Sequence, residues 1–450
     1  MLVVSGNLLD REDAGRIEVS TLRVMTLTWE FPPHVTGGLS MASYGIVRAL
    51  LGLGVEVDLV IPTREEVYFP LRQEKDADSL PVASLGSTEG MVLPLPQSGI
   101  ELVKAMDPSV SAYFRPYETR DEGAAEVTLR PLNVAEPLSL VLQFFAEDQA
   151  LLRDVKAFTV RAAKLASLRN YDLIHAHDWL TYPAAILLKT LSGKPLIVHV
   201  HSTEFDRAGG PGDERIHGIE YMGTQFADRV IVVSAYTGSI VAERYKTERE
   251  KLRVVHNAFT LEFGGREKER IFKEPTIVFV GRITLQKGPD YFLEVARRVL
   301  KKEKRVRFIM AGRGDMEREI LHKAASFGLG TKFLFAGFLT REELEPILCA
   351  ADIFVMPSIS EPFGIVALEA MSCGAVAIIA KQSGVAEAIE NAYKIDFWDI
   401  DRIVSVILDL VENPERLKDT SRKGVEEVGK LQWEEAGRKI VTVYDELIGT

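Results

Sequence analysis

Short apolar runs alternate with helical patterns along most of this chain, and the alternation limits the folds that it can adopt. Each run in the first 260 residues is short enough to be a single buried strand. The runs are Leu22–Thr28, Val55–Ile61, Leu173–His177, Pro195–Val200, Arg229–Val233 and Leu252–Val255. Strands that alternate with helices form βαβ units, so we expect a parallel sheet with helices on both faces.

A second series of the same kind follows. Its runs are Thr276–Val280, Val306–Ala311, Lys332–Phe335, Ile353–Met356 and Ala375–Ala380. The length of 450 residues also exceeds what one hydrophobic core normally supports. The sequence therefore predicts an α/β protein with two Rossmann-like domains in succession.

Composition shifts suggest where these domains begin and end. Residues 1–20 carry mixed charge ahead of the first strand and are interpreted as an N-terminal extension. The polar segment 260–275 contains a Gly-Gly pair and many charges, which is typical of a linker. We therefore expect one domain over residues 21–260 and a second over 261–432. Residues 63–140 break the rhythm and are interpreted as insertions that can include a hairpin.

Composition also narrows the function classes. The net charge of −11 argues against a general affinity for nucleic acid or anionic lipid. No apolar run approaches the roughly 18 residues needed to span a membrane, so an integral membrane segment is not expected. Cys349 and Cys373 form no metal-like spacing, and we expect both to be buried and unreactive in a reduced, cytoplasmic protein.

The segment from Ser360 to Met371 carries the most informative chemistry. It follows the strand-like run Ile353–Met356, so Glu361 falls in the loop that leaves the strand and Glu369 falls about two turns into a helix. Loops at the carboxyl ends of parallel strands bind ligands in open α/β sheets, and Gly364 at the helix start offers backbone amides to an anion. The two acids are predicted to face one crevice that accepts hydroxyls and phosphate.

This Glu-x7-Glu pattern, set between Pro357-Ser358 and Gly374, resembles the signature of retaining nucleotide-sugar glycosyltransferases of the GT-B fold. That class contains the glycogen and starch synthases and the family 4 transferases. The resemblance implies two Rossmann-like domains that face a central cleft, with the C-terminal helix 433–450 packed back on the first domain. The alternative is that Glu361 caps the helix and Glu369 is a solvated helical residue.

The resemblance assigns roles to several residues of the second domain. Glu361 would lie by the donor sugar and Glu369 by the ribose. Arg282 and Lys287, in the loop that leaves the run Thr276–Val280, are two cations able to neutralise a departing diphosphate. The other donor-binding candidates are Gly314, Phe363, Gly364 and Ile365. Thr340-Arg341-Glu342-Glu343 is interpreted as a helix cap without chemistry.

Candidates in the first domain follow its strands. Gly37 and Gly38 form a strand-to-helix turn that can approach a phosphate, although relatives usually carry a Lys where this chain has Val35-Thr36. His201 matches a histidine that lies near the donor sugar in the family. His199 is expected to point away from it into the core.

Three further residues are predicted to line the acceptor side of the cleft. They are His177, Asp178 and Asn257. For the two strand-end residues, a purely structural role is an equal alternative. No metal is expected, because a third well-spaced group of ligands is missing from the sequence.

The resemblance favours transfer of a glucosyl unit from UDP- or ADP-glucose to an α-glucan, with retention and without a cofactor. The expected partners are therefore a nucleotide sugar and a glycan acceptor, and no nucleic acid. The main alternative is a family 4 transferase with a lipid-linked, small-molecule or cell-surface acceptor. A sugar-nucleotide 2-epimerase and a non-catalytic sensor are further alternatives. The segment 390–396 is shorter than the matching segment of many relatives, and the oligomeric state stays open.

Overall fold

A computed structural model describes most of the chain: residues 22–31, 38–62, 92–94, 100–104, 150–209, 211–259 and 271–449. The predicted extension 1–20, Gly37, most of the insertion 63–140 and most of the linker 260–275 lie outside the described residues. Among those that are described, no helix combines the length and the apolar character needed to cross a membrane.

The first domain is built on an eight-stranded sheet in the order β3-β4-β2-β1-β5-β6-β7-β8. All neighbouring strands are parallel except β3 and β4, which pair antiparallel within the predicted insertion. The strands are β1 (Arg23–Leu27), β2 (Glu56–Ile61), β3 (Val92–Pro94), β4 (Ile100–Lys104), β5 (Leu173–His177), β6 (Leu196–Val200), β7 (Arg229–Val232) and β8 (Leu252–Val254). The helices are α1 (Gly38–Gly52), α2 (Ala150–Ala166), α3 (Tyr182–Ser192), α4 (Glu204–Ala208), α5 (Glu214–Phe226) and α6 (Ala235–Arg244).

The second domain has a parallel six-stranded sheet in the order β11-β10-β9-β12-β13-β14. The strands are β9 (Thr276–Val280), β10 (Arg307–Ala311), β11 (Phe333–Gly337), β12 (Ile353–Met356), β13 (Val376–Ala380) and β14 (Tyr393–Ile395). The helices are α7 (Pro289–Lys302), α8 (Glu317–Ser326), α9 (Arg341–Ala350), α10 (Ile365–Ser372), α11 (Val385–Ala388), α12 (Ile400–Glu412) and α13 (Pro414–Val428). The predicted α/β class with two parallel sheets is confirmed.

The central strands explain why this pattern could be read from sequence. Every residue of β5, β6 and β13 is buried, because helices cover both faces of each sheet. Burial on both faces turns a strand into a continuous apolar run. β5 and β6 are not wholly apolar, however, because three of their buried positions are occupied by histidines.

The prediction for the two cysteines is wrong in part. Both are free thiols, but both are only partly buried. Cys349 lies near the end of α9 and Cys373 caps the end of α10, where the two helices meet. A hydrogen bond with Cys349, together with partial burial, raises the pKa of the Cys373 thiol above its ordinary value.

The last helix, α14 (Trp433–Ile448), packs on the first domain. The Trp433 indole lies against Gly45 of α1, and Gly437 lies against Ala49. At the other end of α14, the Glu446 carboxylate accepts hydrogen bonds from the Arg229 and Arg253 guanidinium groups at 2.8 and 2.6 Å. The chain therefore leaves the second domain and ends on the first.

Substituting Gly45 by alanine is expected to destabilise the folded chain by about 1–3 kcal/mol. The added Cβ would overlap the buried Trp433 ring, so α14 would have to move away from α1. Urea unfolding measures the effect. Gly38→Ala is the matched control, because a Cβ there meets nothing within 4 Å. Equal unfolding free energies for the two variants would contradict this packing.

Candidate active site

Lys287 and Glu361 form the centre of the candidate site. The Lys287 Nζ donates to both carboxylate oxygens of Glu361, at 2.8 and 2.7 Å. The Ser358 hydroxyl donates to the same carboxylate at 3.0 Å. Lys287 ends the 3₁₀ turn after β9, and Glu361 lies in the loop after β12. Because β9 and β12 are neighbours in the sheet, their carboxyl-end loops meet.

The backbone fixes Glu361 from the other side. Its amide donates to the Gln382 carbonyl at 3.0 Å, and its carbonyl accepts from the Gly384 amide at 2.9 Å. Glu361 is only 6% exposed. The loops after β9, β12 and β13 therefore hold one carboxylate and one ammonium group in a defined position.

The second predicted cation, Arg282, belongs to the same loop as Lys287. Its guanidinium donates to the Gln286 side-chain carbonyl at 2.7 Å, and the Gln286 amide donates to the Ser360 carbonyl at 3.2 Å. The main-chain carbonyl of Gln286 also accepts from the Ile359 main-chain amide at 2.9 Å. Gln286 therefore links Arg282 to the loop that carries Glu361, a role that sequence reasoning missed.

Gly314 supports this loop by close packing. A Cβ at Gly314 would overlap the Ile283 carbonyl, so only glycine lets the loop after β10 approach the loop after β9. Gly364 has a φ of +105°, which favours glycine at the start of α10. Phe363 is buried in the second-domain core, and Ile365 is partly buried beside it. Phe363, one of the predicted donor-binding residues, therefore has a packing role.

The Glu369 carboxylate has a different cationic partner from the Glu361 carboxylate. Its carboxylate accepts from the Arg341 guanidinium of α9 at 3.1 Å. Only 7% of Glu369 is exposed, which excludes the solvated alternative. Glu361 does not cap α10 either, because the N-cap residue is Gly364 and no side chain caps it. Thr340 does form the predicted capping box with Glu343, but its neighbour Arg341 also contacts a candidate site residue.

Four histidines lie together at the carboxyl ends of β5 and β6. His177 Nδ1 and His201 Nε2 are 2.8 Å apart, and His175 Nδ1 lies 2.7 Å from the Tyr444 hydroxyl of α14. The expectation that His199 points away from His201 is wrong. Their rings stack with centroids 4.3 Å apart, because residues two apart on a strand share a face.

The loops around the histidines are fixed by Asp178. Its carboxylate accepts from the His201 amide at 2.7 Å, and its own backbone has a φ of +57°. Asn257, the remaining acceptor-side candidate, is almost fully buried next to His256. Gly38 begins α1. The structure thus brings His177, Asp178 and His201 together, with Asn257 and Gly38 on other loops of the first domain.

Three of the histidines have the donor types of a metal site. Nitrogen atoms of His175, His177 and His199 all lie within 4.8 Å of one another. However, His175 Nδ1 lies 2.7 Å from the Tyr444 hydroxyl and His175 Nε2 lies 3.3 Å from His199 Nδ1, so both nitrogens of the His175 ring already have hydrogen-bond partners within the protein. We therefore treat the cluster as a stack of neutral imidazoles.

Acidification below pH 6.5 is expected to lower the free energy of unfolding. Burial lowers the pKa of His175, His177 and His199 well below 6.5 and that of His201 to about 3. The unfolded chain then binds more protons, so the stabilisation is complete above pH 6.5 and is lost as the pH falls. The slope is about 1.4 kcal/mol per pH unit for each proton. Glu220, whose pKa burial raises to about 7, acts in the opposite sense as a single group.

Urea unfolding at pH 7.5 and 5.5 measures this dependence. His199→Gln, which removes one titrating ring, should reduce the pH slope by about one proton relative to the unsubstituted chain. An unfolding free energy that is the same at both pH values would contradict the prediction.

Direct contacts between the domains surround the Glu361 loop. The Ser360 hydroxyl donates to the Asp206 carboxylate of α4, and the Ser234 hydroxyl donates to the Pro362 carbonyl at 2.7 Å. The Glu387 carboxylate accepts from the two backbone amides at the start of α6, at 2.8 and 2.7 Å. Sequence reasoning missed these residues, since nothing in one strand-and-loop pattern indicates a partner in the other domain.

Comparisons with known proteins relate both halves of the chain to glycosyltransferases. Residues 265–427 match the family model described as glycosyl transferases group 1, and residues 114–263 match the one described as glycosyltransferase family 4. The chain is 27% identical over 448 residues to an uncharacterized glycosyltransferase of Methanocaldococcus jannaschii, across 94% of this chain and 98% of that protein. It is 24% identical over 379 residues to glycogen synthase of Mycobacterium tuberculosis, across 82% of this chain and 80% of that protein.

A solved structure shows the same fold. The catalytic domain of starch synthase IV from Arabidopsis thaliana, bound to ADP and acarbose, matches with a TM-score of 0.67 at 16% identity. The match covers 96% of this chain and all of that domain. At this identity the likeness concerns the architecture alone.

Proposed function

Because this chain is a glycosyltransferase of the GT-B fold, we propose that it moves a hexosyl unit from a nucleotide-diphosphate sugar to a glycan acceptor with retention at the anomeric carbon. The hexose is glucose and the acceptor an α-glucan. The donor lies mainly on the second domain and the acceptor mainly on the first. No metal or cofactor takes part.

The contact between Lys287 and Glu361 carries this proposal. A hexose joined to a diphosphate presents hydroxyls on one side of its scissile bond and negative charge on the other. The Glu361 carboxylate can accept hydroxyl hydrogen bonds, and the Lys287 ammonium group, 2.7 Å from it, can stabilise the departing phosphate. The pair therefore fits the junction between sugar and phosphate.

The other residues act around this junction. Arg282 adds a second positive charge from the same loop, and Glu369 binds the ribose. His201 orients the sugar from the first domain, and the turn at Gly37 and Gly38 closes over the phosphates. The contacts between Ser360 and Asp206 and between Glu387 and α6 favour a closed cleft, which keeps water from competing with the acceptor.

Two similarities support the α-glucan acceptor. One curated relative is a glycogen synthase, and the starch synthase domain with the same fold was solved with ADP and acarbose. These proteins favour UDP- or ADP-glucose as the donor of this chain. The match of residues 114–263 to glycosyltransferase family 4 supports the second candidate, transfer to a lipid-linked, small-molecule or cell-surface glycan.

Nucleoside diphosphate release from UDP-, ADP- and GDP-sugars, each with and without glycogen or malto-oligosaccharide, tests the proposal. Release from a glucose donor that increases with glucan is the expected result. Release that ignores glucan would favour the second candidate. No release from any donor would favour a sugar-nucleotide epimerase or a sensor, and epimerised donor in the mixture would distinguish these two.

A further inference from the structure

Three aromatic side chains form a cluster on the second domain, in which Tyr291 and Phe397 are partly buried and Trp398 is exposed. The Phe397 ring lies edge-on to Trp398, with centroids 4.8 Å apart, and edge-on to Tyr291, with centroids 5.2 Å apart. Trp398 is 56% exposed, although it is the largest apolar side chain type. Burying an indole would stabilise the fold, and an exposed apolar side chain of this size can mark a binding site.

The cluster lies at the edge of the sheet that carries the candidate active site. Phe397 and Trp398 follow the carboxyl end of β14, and Tyr291 is in the first turn of α7, four residues after Lys287. Asp396 joins the cluster to the Glu361 loop, because its carboxylate accepts from the Gln382 amide at 2.9 Å. The main-chain carbonyl of Gln382 accepts from the Glu361 main-chain amide.

The chemistry of the cluster fits a neutral carbohydrate. Aromatic faces stack on the apolar C–H faces of sugar rings, and the edge-on Phe397 ring supports Trp398 from one side while the indole stays accessible. Asp396 and Asp399 flank the Phe-Trp pair in sequence. The Asp396 carboxylate accepts from Lys381 at 2.8 Å as well as from Gln382, and the Asp399 carboxylate caps α12, so both charges are already bound. Aromatic rings beside compensated charges fit an uncharged α-glucan chain better than a nucleic acid or an anionic headgroup.

We propose that Tyr291, Phe397 and Trp398 form a glycan platform, a second carbohydrate-binding site that holds an α-glucan chain at the rim of the cleft. The choice of α-glucan as the ligand rests on the proposed function. The platform would keep a long acceptor on the enzyme between transfers.

Binding of maltoheptaose and of glycogen in the absence of any nucleotide sugar tests the platform. Of the four tryptophans, Trp398 is the most exposed and Trp179 and Trp433 are buried, so a ligand-induced change in emission that Trp398→Ala abolishes reports on Trp398. We expect a saturable change in emission, and slower migration in native gels that contain glycogen. Trp398→Ala should weaken glycogen binding about tenfold in the gel assay.

Phe397→Ala is a second variant with the same expected direction, and Phe327→Ala is the matched control. Phe327 is a phenylalanine of this domain that is 40% exposed, but it precedes β11 and therefore lies at the opposite edge of the sheet. Circular dichroism and thermal melting show whether each variant is folded. Loss of glycogen affinity in both platform variants, with Phe327→Ala unchanged, would support the platform.

The platform and the proposed function can fail separately. If no donor and glucan pair gives transfer but glycogen binding depends on Trp398, the platform stands and the transfer proposal falls. If transfer to glucan occurs but Trp398→Ala binds glycogen like the unsubstituted chain, the platform is wrong. Binding to neutral phosphatidylcholine vesicles with no binding to either glucan would also overturn it.

Discussion

Glu361→Gln is expected to reduce kcat by about 10²–10³-fold while leaving nucleoside diphosphate affinity largely unchanged. The substitution keeps the shape of the side chain and the Ser358 contact but removes the charge that faces Lys287. It weakens the hydrogen bonds that the carboxylate offers to sugar hydroxyls, and these lie on the sugar side of the scissile bond. Steady-state kinetics with the donor found in the release assay, together with calorimetric titration of the nucleoside diphosphate, measure both effects.

Glu390→Gln provides the control for Glu361→Gln. Glu390 is a glutamate of the same domain whose side chain is 83% exposed, so its neutralisation should leave kcat unchanged. A Glu361→Gln enzyme with more than half of the original kcat would remove Glu361 from the sugar site. A loss of nucleotide affinity as large as the loss of kcat would place it at the phosphates instead.

The fold was predictable because its central strands are buried on both faces. Burial of this kind leaves a continuous apolar run in the sequence, which is why β5, β9 and β12 have the predicted limits. β14 was missed because three residues, two of them only partly buried, make too short a run. Strand order is not recorded in such runs at all.

The sequence indicated individual residues of the candidate site but not which of them contact one another. Lys287 and Glu361 are 74 positions apart, and their contact depends on β9 lying next to β12. The ion pair of Arg341 with Glu369 depends likewise on how α9 packs beside α10. A helix-capping pattern correctly predicted Thr340, yet nothing local indicated that the next residue would reach a site carboxylate. Which residues of distant elements come into contact depends on the topology of the fold, and a local sequence pattern carries no information on it.

Lys287→Met is expected to lower kcat/KM by about 10²–10³-fold and also to destabilise the folded chain by about 3 kcal/mol. Methionine retains most of the aliphatic length but removes the ammonium group that both Glu361 oxygens contact. The Glu361 carboxylate, almost fully buried, would then lose its bound cation. Activity and stability therefore fall for different reasons: a phosphate loses its counter-charge, and a buried carboxylate loses its partner.

A double substitution separates these two reasons. In Lys287→Met/Glu361→Gln the buried charge is gone as well, so most of the lost stability should return, whereas activity should stay at or below that of Lys287→Met. Urea unfolding and steady-state kinetics on the two single variants and the double variant complete the cycle. If activity returned together with stability, Lys287 would be a structural residue that neutralises Glu361. If stability returned and activity fell below that of Glu361→Gln alone, the ammonium group would act on the substrate itself.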